Sequence, residues 1–129
     1  MFTGRIHEIG EIASVVDERI VVHAPKSAGQ VRPGGSLNVA GVCVTAEAVD
    51  GGLVTATVSA ETRRRTTFDR CEPGQRVNVE PALAVGDPLD GHLVHGHVDG
   101  VGKVAGVDGY GAGRRIWIRP SPRVLPRVA

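Results

Sequence analysis

The sequence predicts an all-β chain: one small barrel or sandwich, followed by the opening part of a second copy. Three observations predict it. Gly and Pro, 18 and 8 of 129 residues, punctuate the chain at short intervals. Between them lie segments rich in Val, Ile and Thr, some in strict alternation, as half-buried strands require. Finally, the opening returns 92 residues later: Gly4, Ile6, Gly10, Ile12 and Val15 align with Gly96, Val98, Gly102, Val104 and Val107. A repeat of that length is a domain rather than a solenoid unit. Only 33 residues follow Gly96, so one complete copy is expected over residues 1–87 and the N-terminal part of a second over 88–129.

Strands are predicted at Gly4–Ile6, Glu8–Asp17, Arg19–Ala24, Ser36–Val39, Val42–Val49, Leu53–Ser59 and Arg76–Glu80. Alternation is clearest in Leu53–Ser59 and Arg76–Glu80. Asp50-Gly51-Gly52 is a hairpin signal, because glycine supplies the positive φ that the turn needs. Arg32-Pro33-Gly34-Gly35 and Glu72-Pro73-Gly74-Gln75 each place a Pro-Gly turn before a strand. Two short helices fit, Ser27–Val31 and Glu61–Thr66. The first unit ends near Val85–Pro88. The second opens with Gly91–Val107, continues through a loop at Asp108–Gly113, and reaches a strand at Arg114–Arg119 whose Trp117 is expected in a core.

The bulk numbers exclude several classes. A net charge of +1 offers no electrostatic footprint for nucleic acid or an anionic membrane. At 3% aromatic residues there are few platforms for stacking bases. No apolar run approaches the length of a membrane span. The N-terminus lacks the basic and apolar regions of a signal peptide. A cytoplasmic location is expected, with Cys43 and Cys71 as free thiols.

Five motifs in order carry a family resemblance. They are Met1-Phe2-Thr3-Gly4; Gly35-Ser36-Leu37-Asn38-Val39-Ala40-Gly41-Val42-Cys43-Val44-Thr45; Ala60-Glu61-Thr62; Gly74-Gln75-Arg76-Val77-Asn78-Val79-Glu80; and Gly91-His92-Leu93-Val94-His95-Gly96-His97-Val98-Asp99-Gly100. This series resembles the riboflavin synthase family, also called the lumazine-binding repeat family, over essentially the whole chain. The resemblance implies two six-stranded antiparallel Greek-key barrels per chain, a C-terminal helix that joins three chains, and active sites between barrels of neighbouring chains. It implies a dismutation of two 6,7-dimethyl-8-ribityllumazine molecules to riboflavin and a pyrimidinedione, with no metal or other cofactor. The expected partners are that substrate or riboflavin and further copies of the chain: a trimer at full length, a dimer for these 129 residues. The sequence departs from the family pattern at Ala40, usually Asn, and at Val44, usually Leu. It also stops just before a second Gly35–Thr45 segment. Binding without turnover is therefore expected of this chain. A non-catalytic lumazine- or flavin-binding protein is the alternative.

Candidate site residues follow from the same alignment. Gly4-Arg5-Ile6 matches a ligand-contacting segment, where a flat heterocycle can lie on a backbone with small side chains; the plain alternative is a tight strand start. Ser36 and Cys43 match pocket positions. The dismutation needs a nucleophile for the pteridine and a base for its acidic 7-methyl group, and a thiolate, hydroxyl or activated water could serve. A buried, inert Cys43 is the alternative. Cys43-Val44-Thr45 would present Cys43 and Thr45 on one face. Thr57, Ser59, Glu61 and Thr62 lead into the second helix, whose backbone donors suit an acceptor-rich ring or a ribityl hydroxyl; Ser59 could equally be a helix cap. Gly96-His97-Val98 repeats the first segment, and His97 could act in acid–base chemistry or orient a ring. His92, His95 and His97, with Asp99, could be taken for a metal site, but strand geometry turns His92 away from the other two, and no metal is expected. Arg63-Arg64-Arg65 reads as a solvated helix face rather than an anion site.

Overall fold

In the computed structural model, which describes residues 1–127, nearly all regular structure is antiparallel β. The strands are β1 (Glu8–Val16), β2 (Arg19–His23), β3 (Ser36–Val39), β4 (Val42–Thr45), β5 (Ala48–Asp50), β6 (Leu53–Thr57), β7 (Arg76–Pro81), β8 (Lys103–Tyr110) and β9 (Gly113–Arg119). The first seven form one sheet in the order β4-β3-β7-β1-β2-β6-β5. β4 and β5, at opposite ends of that order, are halves of the single predicted strand Val42–Val49. At the bend Ala46 donates its N–H to Gly35 at 2.8 Å, while the next amide, Glu47, donates to Thr55 across the other neighbour at 2.8 Å. One bent strand thus hands its hydrogen bonds from β3 to β6 and closes the sheet into a barrel. Closure joins the two ends of the sheet through this strand, although β4 pairs only with β3 and its Cys43 amide donates outside the sheet.

The barrel encloses Ile12, Ile20, Val22, Leu37, Val39, Val42, Val44, Val54, Ala56, Val77 and Val79, with Phe68 at one end. Alternation explains the choice in every strand but β1. There a bulge between Ile12 and Ser14 shifts the register, so Ile12 and Val15, not Ile12 and Ser14, face the core. Gly10 must be glycine: a Cβ would lie 2.8 Å from the His23 carbonyl oxygen.

Helix α1 (Pro25–Ala28) lies earlier than the predicted Ser27–Val31, because Pro25 fits the first helical position and Gly29 ends the turn. The Glu8 carboxylate accepts from the Ser27 and Lys26 amides at the N-terminus of α1. Partial burial pushes its pKa up, but those donors outweigh this and hold it below the ordinary value. Helix α2 (Ala60–Arg65) falls where predicted, and Ser59 accepts from the Thr62 amide as its cap. A single 3-10 turn, Thr67–Arg70, places Phe68 in the core. It had no clear signal in the sequence.

Three further expectations are corrected. Gly4–Ile6 is not a strand: only Phe2 forms a bridge, to Val94, and Gly4 with φ +82° ends the extension. The loop at Asp108–Gly113 narrows to a turn at Gly111-Ala112, with strand on both sides. Trp117 is not in a core: it is 52% exposed. Its register places it with Arg115 and Asp108 on the outer face of the β8–β9 hairpin, where its indole N–H donates to Asp108 at 2.7 Å. The last two residues of the predicted second unit, Val128 and Ala129, lie outside the described residues.

The repeat extends to backbone detail. The β1 bulge between Ile12 and Ser14 returns in β8 between Val104 and Gly106, at the same 92-residue offset. Gly10 sits against the His23 carbonyl and its counterpart Gly102 against that of Arg119. β8–β9 is therefore the β1–β2 hairpin again. Its inner face differs in one respect: Val104 and Ile118 are each 64% exposed, whereas their counterparts Ile12 and Val22 are buried.

The β3–β4 turn carries a local strain. Ala40 adopts φ +51° ahead of Gly41 at φ +88°, a pair of conformations typical of Asn-Gly. A left-handed conformation costs a side chain such as alanine's roughly 1–2 kcal/mol, and Asn tolerates it far better. Ala40→Asn should raise the unfolding free energy by on the order of 1 kcal/mol in a urea titration; an unchanged or lower midpoint contradicts this reading of the turn.

Candidate functional site

The family motifs converge on a cleft of about 400 Å³ on the outside of the barrel. Val42 and Cys43 of β4 form its floor, and Glu61, Thr62, Arg65 and Thr66 on and after α2 form one wall. The opposite wall is Gly96–Asp99, from the start of the second repeat. The Gly96 carbonyl accepts from the Cys43 amide at 2.9 Å, which joins the wall to the floor. Only glycine permits this approach, since a Cβ on Gly96 would lie 2.9 Å from the Cys43 nitrogen, and its φ is +74°. Val98 packs against the barrel core beside the cleft.

Six of the predicted residues therefore meet: Cys43, Glu61, Thr62, Gly96, His97 and Val98. Others do not. Arg5 and Ile6 line a separate cleft with Thr3, His7 and Glu80, and Arg5 pairs with Asp90 at 2.6 Å. Gly4 lies near Val94. Ser36 and Thr45 face each other across β3 and β4, farther along the outer face, and neither lines the cleft. Val44 is buried in the barrel, which leaves its side chain no route to a ligand. Thr57 belongs to a shallow hollow with Val16, Asp17, Glu18 and Arg19. The Ser59 hydroxyl is occupied with Thr62, in the capping role.

The charged groups on the α2 wall are paired. Glu61 binds both Arg64 and Arg65, and the hydrogen bond from Arg65 holds its carboxyl below the ordinary carboxylate range. Arg63 donates to the Asp17 carbonyl. The arginine run is thus a tied helix face, except that Arg65 is half-buried and reaches the cleft. Val42 and Thr66 carry no site signal in the sequence, whereas Asp99 and Arg65 enter the cleft although the sequence reads them as part of a discounted metal cluster and of a solvated helix face; the i, i+4 spacing of Glu61 and Arg65 is the available signal for the latter. On the other wall, the rings of His95 and His97 lie 5.8 Å apart and tilted by 41°. Among the described residues, no group of three or more His, Cys, Asp or Glu side chains is gathered to hold a metal ion.

Residues 3–82 match the profile of the lumazine binding domain. The chain belongs to the lumazine-binding domain family. Its relatives in that family include the riboflavin synthase of Mycobacterium tuberculosis (strain ATCC 25618 / H37Rv), 40% identical over 109 residues that cover 81% of this chain and 54% of the relative. The riboflavin synthase of Photobacterium leiognathi is 40% identical over 123 residues, covering 92% and 56%. The chain thus spans about half the length of the curated relatives it matches. Among solved structures, LumP complexed with 6,7-dimethyl-8-(1'-D-ribityl) lumazine superposes with a TM-score of 0.80 at 24% identity, covering 92% of this chain and 68% of that one. LumP complexed with flavin mononucleotide gives 0.77 at 26%, covering 92% and 69%. The lumazine-binding fold therefore extends beyond the profile into the β8–β9 region. No described helix is long and apolar enough to cross a membrane.

The joint between floor and wall is testable without a ligand. Gly96→Ala should push the wall off Cys43 and raise the rate at which a thiol reagent labels it severalfold. Cys71 serves as the internal control, because burial pushes its thiol pKa up and keeps it slow. Equal labelling of Cys43 in both proteins, read by peptide mass, would show that Gly96 does not shield it.

Proposed function

We propose that the chain is riboflavin synthase-like and that its cleft takes 6,7-dimethyl-8-ribityllumazine or riboflavin. One observation carries the proposal: six residues named by family motifs far apart in sequence line a single open cleft. Its chemistry suits such a ligand. Gly96 itself is buried, its carbonyl held by the Cys43 amide, so a flat ring would meet the exposed His97 and Asp99 beside it. Thr62, Glu61 and Arg65 supply donors and acceptors for a polyhydroxylated chain. Of the groups considered for the dismutation, Cys43 and His97 border the cleft, as nucleophile and base candidates. A thiolate adding to the ring and an imidazole taking a proton from the 7-methyl group need no redox partner. Ser36, away from the cleft, is the weaker catalytic candidate.

The offset is 92 at Val104 and 96 by Ile118, so any counterparts of Cys43 and of residues 61–66 would fall beyond residue 129. Gly4-Arg5-Ile6, the counterpart of Gly96–Val98, would wall the cleft of such a second unit rather than that of its own barrel. This polypeptide alone is accordingly proposed to bind but not to turn over, in the cytoplasm. Titration with riboflavin should quench flavin fluorescence saturably; no quenching up to hundreds of micromolar would refute binding. Incubation with dimethylribityllumazine should yield no riboflavin, and turnover would refute the loss of catalysis.

Self-association through residues 88–129 belongs to the same proposal. The inner face of β8–β9 exposes Val104, Val107, Ile116 and Ile118, counterparts of residues that face the core of the first unit. Sedimentation equilibrium should give twice the chain mass, and Ile116→Glu should return a monomer. A monomeric parent chain would rule the dimer out.

A further inference from the structure

Glu80 is a titratable group that the cleft itself does not use. It is 2% exposed, at the end of β7 on the outer face of the barrel. No arginine or lysine pairs with it among the described residues. Its carboxylate instead collects donors from the other end of the chain: the Thr3 amide at 2.6 Å and hydroxyl at 2.8 Å on one oxygen, and the Gly4 amide at 3.1 Å on the other. A buried carboxylate is costly unless hydrogen bonds replace its water. Here all the recorded bonds go to residues 3 and 4.

Two routes lead from Glu80 to the cleft. Along the barrel surface, Glu80 pairs directly with Asn38, and Asn38 with Cys43, so the three form one row across β7, β3 and β4. Directly opposed residues in a sheet are nearest neighbours. Gly96 rests on the far end of that row, against Cys43 and the Asn38 amide. Through the covering segments, Phe2 exchanges two backbone hydrogen bonds with Val94, at 2.7 and 2.9 Å, and the Thr3 carbonyl accepts from His92 at 2.9 Å. The chain then runs from Val94 into the Gly96–Asp99 wall. Both ends of this frame are fixed, one by the carboxylate and one by the Gly96–Cys43 bond.

We propose that Glu80 is a positioning residue of the ligand cleft, setting the placement of the Gly96–Asp99 wall by clamping residues 3 and 4. The ligand part of this inference rests on the function proposed above; the clamp does not. Glu80→Gln keeps the size of the side chain but turns an NH₂ group toward one of the donors from Thr3 or Gly4, so a hydrogen bond becomes a donor–donor contact. The measurements are riboflavin affinity, thermal unfolding, and amide hydrogen exchange, all on the 129-residue chain. The expected result is a folded barrel, with Val22 and Val54 amides as protected as before, together with faster exchange at Phe2, Val94 and Cys43 and riboflavin binding weakened by about tenfold or more. Thr3→Val, which removes the hydroxyl donor to Glu80 and with it the acceptor of the Arg5 amide, leaves both backbone donors to the carboxylate in place; it should shift the same readouts less, and it decides the matter if Glu80→Gln does not fold. Ile20→Val, a core change remote from the clamp, should lower thermal stability and leave both affinity and Cys43 exchange unchanged. Unaltered exchange at Cys43 and Val94 in a folded clamp variant overturns the proposal, as does a Ile20→Val protein that loses affinity equally. If the parent chain binds no riboflavin, the ligand reading fails alone, and amide exchange still decides whether Glu80 sets the wall.

Discussion

The antiparallel bridge between Phe2 and Val94 sets the arrangement of everything outside the first barrel. These two residues are counterparts in the repeat, separated by the same 92 positions as Gly4 and Gly96. When a residue pairs antiparallel with its own counterpart, the two units are related locally by a two-fold axis through that pair. Past such a pair the two segments run on in opposite directions. The second segment brings the Gly96 carbonyl to the Cys43 amide of the first barrel at 2.9 Å. The first segment leaves in the opposite direction, which is why Arg5 and Ile6 line a different cleft. Phe2 is fully buried at this junction, so the bridge is held by packing as well as by its two hydrogen bonds.

The cleft depends on this crossing. β4 pairs with β3 alone and leaves its Cys43 amide at the other edge, and the segment that takes this donor also covers the outer face at β3 and β4. Asn38 shows the consequence: a polar residue on the outer face is buried because Gly96 covers it, while its side-chain oxygen accepts from the Gly41 amide at 2.9 Å. The floor is therefore stiffened from below by the β3–β4 hairpin and from above by the wall. The α2 wall is independent of both, fixed by its Ser59 cap and by the Glu61–Arg65 pair within the helix.

The barrel was legible where one strand pairs with the next. Alternation placed Val54 and Ala56, and Val77 and Val79, on the inner face, and Gly51-Gly52 marked its hairpin. Closure was expected through the family resemblance and not from the residues themselves, because it depends on one bend at Ala46–Glu47 that the run Val42–Val49 does not announce. The site was legible in part. Motif matching named Cys43, Glu61, Thr62 and Gly96–Val98, which line one cleft, but it grouped Gly4–Ile6 with them, and Arg5 and Ile6 line another. Alternation put Glu80 on the outer face, where a carboxylate would ordinarily be solvated; its burial follows from a segment 77 residues away in the chain. Trp117 failed for another reason. Its size suggested a core, but alternation along β9 sets it on the face opposite Ile116 and Ile118.

The same repeat accounts for what is exposed. β1–β2 and β8–β9 share a register, a bulge and a close glycine contact, so their inner faces have the same shape. In the first unit β6 and β7 pair the two edges of the hairpin, and closure of the barrel covers its inner face. Among the described residues β8 and β9 pair only with each other, and their edges and apolar side chains are left open together. The two go together in the first unit: the strands that pair the edges of β1–β2 belong to the same sheet that curves round and closes over its inner face. A partner that buries the face of β8–β9 without pairing its edges leaves backbone groups to water, and one that pairs an edge without curving over the hairpin leaves Val104, Val107, Ile116 and Ile118 exposed.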